Sequence, residues 1–417
     1  MEEEIKQDTE VTITEPEKRP SEDELRQELA RIRDEAEAKK KNKTAKIIGI
    51  VVIAVIAVVL LTLGIMALRG AFSGNKNSVP DSMDGTTTIS SGQTIKLDEH
   101  GEGLAITGGG EYNLTGRVAA PVVVDSVEDV TLRLNGATIE TASTAAIASV
   151  GKGALTIELI DGTENNLSDG GESEYDGCIF STGPLTITGS GKLNVYGQQN
   201  EGEGIATESN NLTIEGGDIY IESNDDGLNA GGDGGTITIN GGNLTIKAGG
   251  DGIDSNKDLV INGGLVYAMG SAAGGNAGID TDGGYTINGG TVVVLGTDML
   301  EAPKANSGQN TLALNLSNNI ASGTMVTLTD NNDNAVISFV AKESFKTLII
   351  STPELKNGSY KLYTGGSNSG KLENNFYSGG SLTGGSAVTA GNTAVFTITS
   401  TVTTVGATGG PGGAPMR

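Results

Sequence analysis

The chain has 417 residues, with 64 Gly, 9 Pro, no Trp and a formal net charge of −25 at a pI near 4.3. Glycine without a strict third-position repeat excludes collagen and describes a turn-rich β protein. Residues 70–417 hold 38 Asp/Glu against 15 Lys/Arg, a balance of −23 that repels nucleic acid and anionic lipid unless a cation intervenes and so predicts no nucleic-acid partner, and the single Cys178 excludes an internal disulfide.

Residues 1–46 form a charged segment. Within it Ser21-Glu-Asp-Glu24 has capping-box form, and Leu25, Leu29, Ile32 and Ala36 follow at helical spacing. This predicts a short solvated helix. Residues 47–68, IIGIVVIAVIAVVLLTLGIMAL, run for 22 positions without a charge. That is enough to span a hydrocarbon core of roughly 30 Å as one transmembrane helix. Lys39, Lys40, Lys41, Lys43 and Lys46 precede it, while only Arg69 and Lys76 follow closely. The positive-inside rule therefore predicts a single-pass cell-membrane protein, its N-terminus cytoplasmic and its C-terminal part extracellular. A cleaved signal peptide fits less well, because the apolar run starts late and exceeds an h-region. Residues 69–85 read as a linker.

From 86 to 305 one pattern recurs. Its units begin Cys178-Ile-Phe-Ser-Thr-Gly-Pro-Leu-Thr-Ile187, Ile205-Ala-Thr-Glu-Ser-Asn-Asn-Leu-Thr-Ile214, Leu228-Asn-Ala230, Ile253-Asp-Ser-Asn256 and Ile279-Asp-Thr-Asp282, with anchors 27, 23, 25 and 26 residues apart. Looser copies start near Ile147 and at Val130-Thr-Leu-Arg-Leu-Asn-Gly136. A unit holds a short alternating strand, Gly-Gly, a second alternating strand, then Asp-Gly or a relative, as in Thr238-Ile-Asn-Gly-Gly-Asn-Leu-Thr-Ile246. Coils of about 23–27 residues predict an all-β parallel β-helix, a solenoid that buries inward Leu, Ile and Val by stacking. Propeller blades and leucine-rich repeats have other periods or patterns. Asn240, Asn262 and Asn288 each precede Gly-Gly and should stack as a structural ladder. Cys178, at an anchor position, reads as a small buried hydrophobe.

Residues 306–405 lose the Asn-Gly-Gly pattern. Thr311-Leu-Ala-Leu-Asn-Leu316, Thr324-Met-Val-Thr-Leu328, Ala335-Val-Ile-Ser-Phe-Val340, Thr347-Leu-Ile-Ile350 and Ser359-Tyr-Lys-Leu-Tyr363 predict a small C-terminal β region covering the end of the solenoid. Residues 406–417 read as a disordered tail.

The alignment puts acids in register. Glu203, Asp226 and Asp251 stand two positions before the anchor in consecutive coils, and Asn229, Asp254 and Asp280 stand one after it, with Asp225 and Asp282 nearby. Coils roughly 4.8 Å apart and a Ca²⁺–O distance of roughly 2.4 Å would let one ion bridge stacked carboxylates, which otherwise repel. Oxygen donors favour Ca²⁺ over zinc or copper. The competing reading is that Asp-Gly and Asn-Gly are turn formers repeated because the coil repeats.

Tyr220 and Tyr267 share a column, six residues after Ile214 and Ile261, with outward parity and Thr245 between them. Two coils separate such rings by roughly 10 Å, a spacing that would suit stacking on alternate sugars of a β-linked chain. The alternative is two unrelated exposed tyrosines. No catalytic residue is assigned. No Arg occurs from 134 to 416, and Lys247 and Lys257 are the candidates for a lyase base near the acidic columns. A hydrolase pair cannot be singled out among so many acids.

At Asp225-Asp-Gly-Leu-Asn229, Gly250-Asp-Gly-Ile-Asp-Ser-Asn256 and Gly278-Ile-Asp-Thr-Asp282 the chain resembles bacterial calcium-containing parallel β-helix carbohydrate-binding proteins, similar in fold to pectate lyases. Ser351-Thr-Pro-Glu-Leu-Lys-Asn-Gly358 and Tyr360-Lys-Leu-Tyr-Thr-Gly-Gly-Ser367 look like that family's C-terminal region, so the resemblance covers about residues 86–405. It implies a right-handed helix, Ca²⁺ between the Asp-rich turns, and binding of cellulose- or pectin-like polysaccharide without demonstrated cleavage. Matching positions make Asp226, Asp251, Asp254 and Asp280 the implied ligands. Ala277 and Asn229 depart from the acidic pattern, and the membrane anchor departs from a secreted binder. A polysaccharide lyase or a structural adhesin on the same scaffold remain the alternatives.

Overall fold

The computed structural model describes residues 91–406, apart from 172, 201, 233–234, 272–275 and 298. The charged segment, the transmembrane helix expected at 47–68, the linker and the tail from 407 lie outside the described residues. Among the described residues no helix is long and apolar enough to cross a membrane, and the single helical element is the 3-10 turn Leu97–Glu99.

The repeat builds a parallel β-solenoid. One face is an eight-stranded sheet of very short strands, running through Ile147–Ser149, Ile179–Ser181, Ile205–Thr207, Leu228–Ala230 and Ile253–Ser255 to Asp280–Thr281. The other two faces merge into one large sheet, because the early strands Gly110–Val118 and Val130–Glu140 turn the corner unbroken. Later coils break there at Gly-Gly, where Gly242, Gly264 and Gly290 adopt φ near +85°, a conformation glycine enters at no steric cost. Period-two alternation then does the rest. Leu155, Leu185, Leu212, Ile237, Leu259 and Tyr285 stack in one fully buried column, and Ile157, Ile187, Ile214, Ile239, Ile261 and Ile287 in the next. Each coil thus caps its neighbour's apolar layer.

The asparagine ladder forms. Asn262 donates to Asn240 Oδ1 at 2.8 Å and Asn288 to Asn262 Oδ1 at 2.9 Å. It extends at both ends, from Asn240 to Glu215 Oε1 and from the Gly308 amide to Asn288 Oδ1.

Strand register corrects one column. Ile179, not Cys178, pairs with Ile205 and hence with Leu228 and Ile253. Cys178 is buried and free, but it occupies the position held by Gly204, Gly227, Gly252 and Gly278 in later coils. Those glycines leave no room at the corner: a Cβ on Gly227 would lie 2.1 Å from Ile246 Cγ2 and 2.6 Å from the Gly252 carbonyl oxygen. Gly227→Ala is therefore expected to cost about 1–3 kcal/mol or more by overpacking, measured as a lowered urea midpoint; an unchanged midpoint would show that the corner yields.

Beyond the last coil the chain changes geometry. Phe345–Ser351 runs antiparallel to both Thr291–Gly296 and Thr311–Ile320, closing the solenoid's end. A separate seven-stranded sheet, including Ala335–Val340, Met325–Thr329, Gly358–Thr364 and the hairpin Lys371–Glu373/Phe376–Ser378, builds a second core. That core takes in Tyr267, Met269, Val293 and Leu295 from the outer side of the final coils, together with Leu312, Leu328, Phe339 and Phe345. The C-terminal region therefore covers a flank of the solenoid as well as its end.

Candidate functional site

On the short-stranded face the central residue of each strand points outward. Its column reads Ala105, Val123, Ala148, Phe180, Ala206, Asn229, Asp254, Asp280. The first half is apolar, with Phe180 stacked on Tyr175 at 5.4 Å. The second half is acidic, so the register expected for Asn229, Asp254 and Asp280 is formed.

Glu203, Asp226 and Asp251 follow one another through backbone bonds from Gly204 to the Asp226 carbonyl and from Gly227 to the Asp251 carbonyl. Asp226 Oδ1 accepts the Asp251 amide at 2.7 Å, and Asp251 Oδ1 accepts the Ala277 amide. Ala277 thus meets the last acid of the column with its backbone. Asn229 Nδ2 donates to Glu203 Oε1 at 2.6 Å and to Asp226 Oδ2 at 3.1 Å, tying the two columns together as a donor.

Burial and mutual repulsion push these carboxyls up. Glu203 rises to about 10, chiefly by burial and then by Asp176, Asp226, Asp225 and Asp254. Asp226 rises to about 7, and Asp251 and Asp254 to about 6, each first by burial and then by neighbouring acids; backbone donors only partly offset this for Asp226 and Asp251. Asp280 and Asp282 both act on Asp254. Among the described residues no lysine or arginine pairs with Glu203, Asp226, Asp251, Asp254 or Asp280. The donors are hard oxygens of the kind Ca²⁺ prefers. Yet among the described residues no group of three or more His, Cys, Asp or Glu side chains is gathered to hold a metal ion by itself.

Two participants escape a reading of the sequence. Asp176 lies three residues before Ile179, the position of Asp225 relative to Leu228, and anchoring the coil on Cys178 hides that match. Glu301, raised to about 7 mainly by burial, accepts the amide and hydroxyl of Thr281 at 2.8 and 2.6 Å and senses Asp280. It comes from beyond the last repeat, where no register points to it.

The tyrosine pair does not survive as expected. Tyr220, Thr245 and Tyr267 do share a column that points away from the solenoid core. Tyr267, however, is fully buried under the C-terminal region, its ring 5.5 Å from Phe376 and 6.0 Å from Phe339. Its hydroxyl donates to the Val340 carbonyl at 2.9 Å and accepts the Lys342 amide at 3.0 Å. It offers no face to a sugar. The ring beside Tyr220 is instead Tyr196, with centroids 6.1 Å apart.

Lys247 is also displaced from the role considered for it. It lies on the outer side of the large sheet, paired with Glu222 at 2.9 Å and Glu343 at 3.6 Å, not on the acidic face. Lys257 is exposed in the turn after Ile253–Ser255.

The chain is thus a parallel β-solenoid with an acidic ladder on one face and half-buried tyrosines on another. The family described as carbohydrate-binding domain-containing protein matches residues 100–410, about three quarters of the chain, and the chain belongs to that family. Its role is accordingly in carbohydrate binding. No curated protein matches the chain. Among solved structures it is similar to the polysaccharide lyase-like protein from C. thermocellum, solved as a gadolinium derivative, at 30% identity and a TM-score of 0.37, over 46% of this chain and 84% of that one.

Proposed function

We propose that the protein binds polysaccharide in a calcium-dependent manner on its short-stranded face, displayed outside the cell by the apolar segment at 47–68. The observation that carries this is the in-register pairing of Asn229, Asp254 and Asp280 beside Glu203, Asp226 and Asp251, with no basic partner among the described residues. Stacked carboxylates without a cation oppose one another, and a divalent ion relieves that repulsion.

Ca²⁺ takes 6–8 oxygens, more than these side chains gather at one point. The proposed shell is completed by the ligand. Carboxylates and hydroxyls of a uronate-rich, pectin-like chain supply the missing oxygens, so the ion bridges an acidic glycan to an acidic protein. Neutral cellulose-like chains would need another surface. The right-handed coil and the membrane display belong to this same reading, the first by family resemblance and the second by the lysines before residue 47.

The test is retention of the full chain on polygalacturonate with millimolar calcium or with EDTA. Chelation, and the double substitution Asp254→Asn with Asp280→Asn, are each expected to weaken binding about tenfold or more. Equal retention in EDTA would refute calcium dependence. Release of unsaturated product would favour a lyase instead.

A further inference from the structure

On the outer side of the large sheet, away from the acidic ladder, lies a groove of about 650 Å³ between the solenoid and the C-terminal hairpin Lys371–Glu373/Phe376–Ser378. We propose that this groove is a second, calcium-independent glycan site that takes a straight, neutral hexopyranose oligosaccharide. Its volume is in the range of small-molecule sites. It rests on the carbohydrate-binding reading but not on the calcium.

The lining has the mixture that sugars require. Tyr220 provides a ring, with Tyr196 beside it at 6.1 Å, and Leu372 adds an apolar edge from the hairpin. At 48% exposure Leu372 is one of only three large apolar side chains left open to solvent among the described residues. Rings and apolar edges cover the C–H faces of a pyranose, while amides meet its hydroxyls. Here the amides are Asn194, Asn374 and Asn375. Neither Asn374 nor Asn375 has a side-chain hydrogen-bond partner among the described residues, whereas Asn194 donates to Glu164 and Asn166 and keeps its carbonyl oxygen as an acceptor.

The hairpin tip carries a second, independent sign. Glu373 pairs with Phe376, so Asn374 and Asn375 are the two central residues of a tight turn, at φ of 45° and 68°. Such turns strongly prefer glycine at the second central position. Asn375 holds a left-handed conformation that glycine would adopt more readily, and it presents an amide to the groove.

Charge selects the ligand class. The lining holds three lysines, Lys192, Lys247 and Lys342: Lys247 is matched by Glu222 and Glu343, Lys192 lies 4.0 Å from Glu164 on the wall that carries Asp218, and Lys342 follows directly before Glu343, so these four acids outnumber the lysines. The groove therefore has no concentrated positive field for a polyanion. Tyr196 is not part of that lining but of a smaller neighbouring hollow of about 290 Å³, shared with Arg117, Glu140 and Asn166. The tyrosine pair joins the two hollows across successive strands, a track that suits an extended glycan and not a coiled one.

Titration calorimetry of the full chain with cellohexaose and maltohexaose, both in EDTA, tests this. Cellohexaose is expected to bind and maltohexaose to bind at least about tenfold more weakly. Tyr220→Ala and Asn375→Gly are each expected to weaken cellohexaose about tenfold or more; the glycine variant keeps the turn its favoured residue, so misfolding cannot explain its loss. Failure of cellohexaose to bind, equal binding of both sugars, or unchanged affinity in the two variants would each overturn the proposal. If cellohexaose fails while polygalacturonate still binds with calcium, the groove falls and the proposed function stands. The converse result sinks the calcium reading and leaves the groove.

Discussion

In EDTA the melting temperature of the protein is expected to fall as pH rises from 5 to 8, and millimolar calcium at pH 8 is expected to raise it by about 5 °C or more. The sign follows from the folded-state carboxyls. Asp251 and Asp254 are pushed up to about 6, Asp226 to about 7 and Glu203 to about 10, all above the 3.8–4.5 of free carboxyls. The folded chain therefore binds these protons more tightly than the unfolded one. Their contribution is fully present below pH 4 and is lost as pH climbs through 6 and 7, with Glu203 continuing the loss toward 10. A cation that neutralises the ladder removes that penalty. Scanning calorimetry at pH 5, 6, 7 and 8 with and without calcium reads both effects. A flat profile in EDTA, or no calcium shift at pH 8, would show that the ladder is relieved by some other means.

Tyr267→Ala is expected to destabilise the protein by about 3–5 kcal/mol. The substitution empties the space between the last coils and the C-terminal sheet, where the ring packs on Phe339 and Phe376. It also strands the Val340 carbonyl and the Lys342 amide, both bonded to the tyrosine hydroxyl. Tyr267→Phe keeps the volume and removes only those bonds, so about 1–2 kcal/mol should remain. Urea denaturation of the two variants separates packing from hydrogen bonding. Phe376 belongs to the hairpin that walls the tyrosine groove, so Tyr267→Ala should also loosen that wall and weaken cellohexaose. A destabilisation below about 1 kcal/mol in Tyr267→Ala would mean that the second core collapses around the gap.

Stacking is a nearest-neighbour problem, and much of it is legible along the chain. A coil must bury its inward Leu and Ile on the next coil, so the repeat dictates which residues lie above which: Asn229 over Asp254 over Asp280, Asn240 over Asn262 over Asn288, Tyr220 two coils from Tyr267. The one slip, taking Cys178 for an anchor, arose because a small apolar residue stands beside the true anchor Ile179. Ala146 is its counterpart in the preceding coil, and glycine takes the corner only in the coils that follow, at Gly204, Gly227, Gly252 and Gly278.

What covers the outside of a coil is a different matter. Alternation says that Tyr267 leaves the solenoid core; it does not say where it goes. A clue was present, since Leu265-Val-Tyr-Ala-Met269 and Val292-Val-Val-Leu295 lack the polar residues that alternate in Lys192-Leu-Asn-Val-Tyr196. An unbroken apolar run marks a strand buried on both faces.

From sequence alone came the solenoid, the acid register and the composition of its ladder, because each depends only on period and adjacency. Only the tertiary structure decided that Tyr267 is core, that the Asn374-Asn375 turn flanks Tyr220, and that Glu301 joins the acids. Those contacts bring together residues up to about 180 positions apart, and no local periodicity encodes the path by which the C-terminal sheet folds back over the final coils.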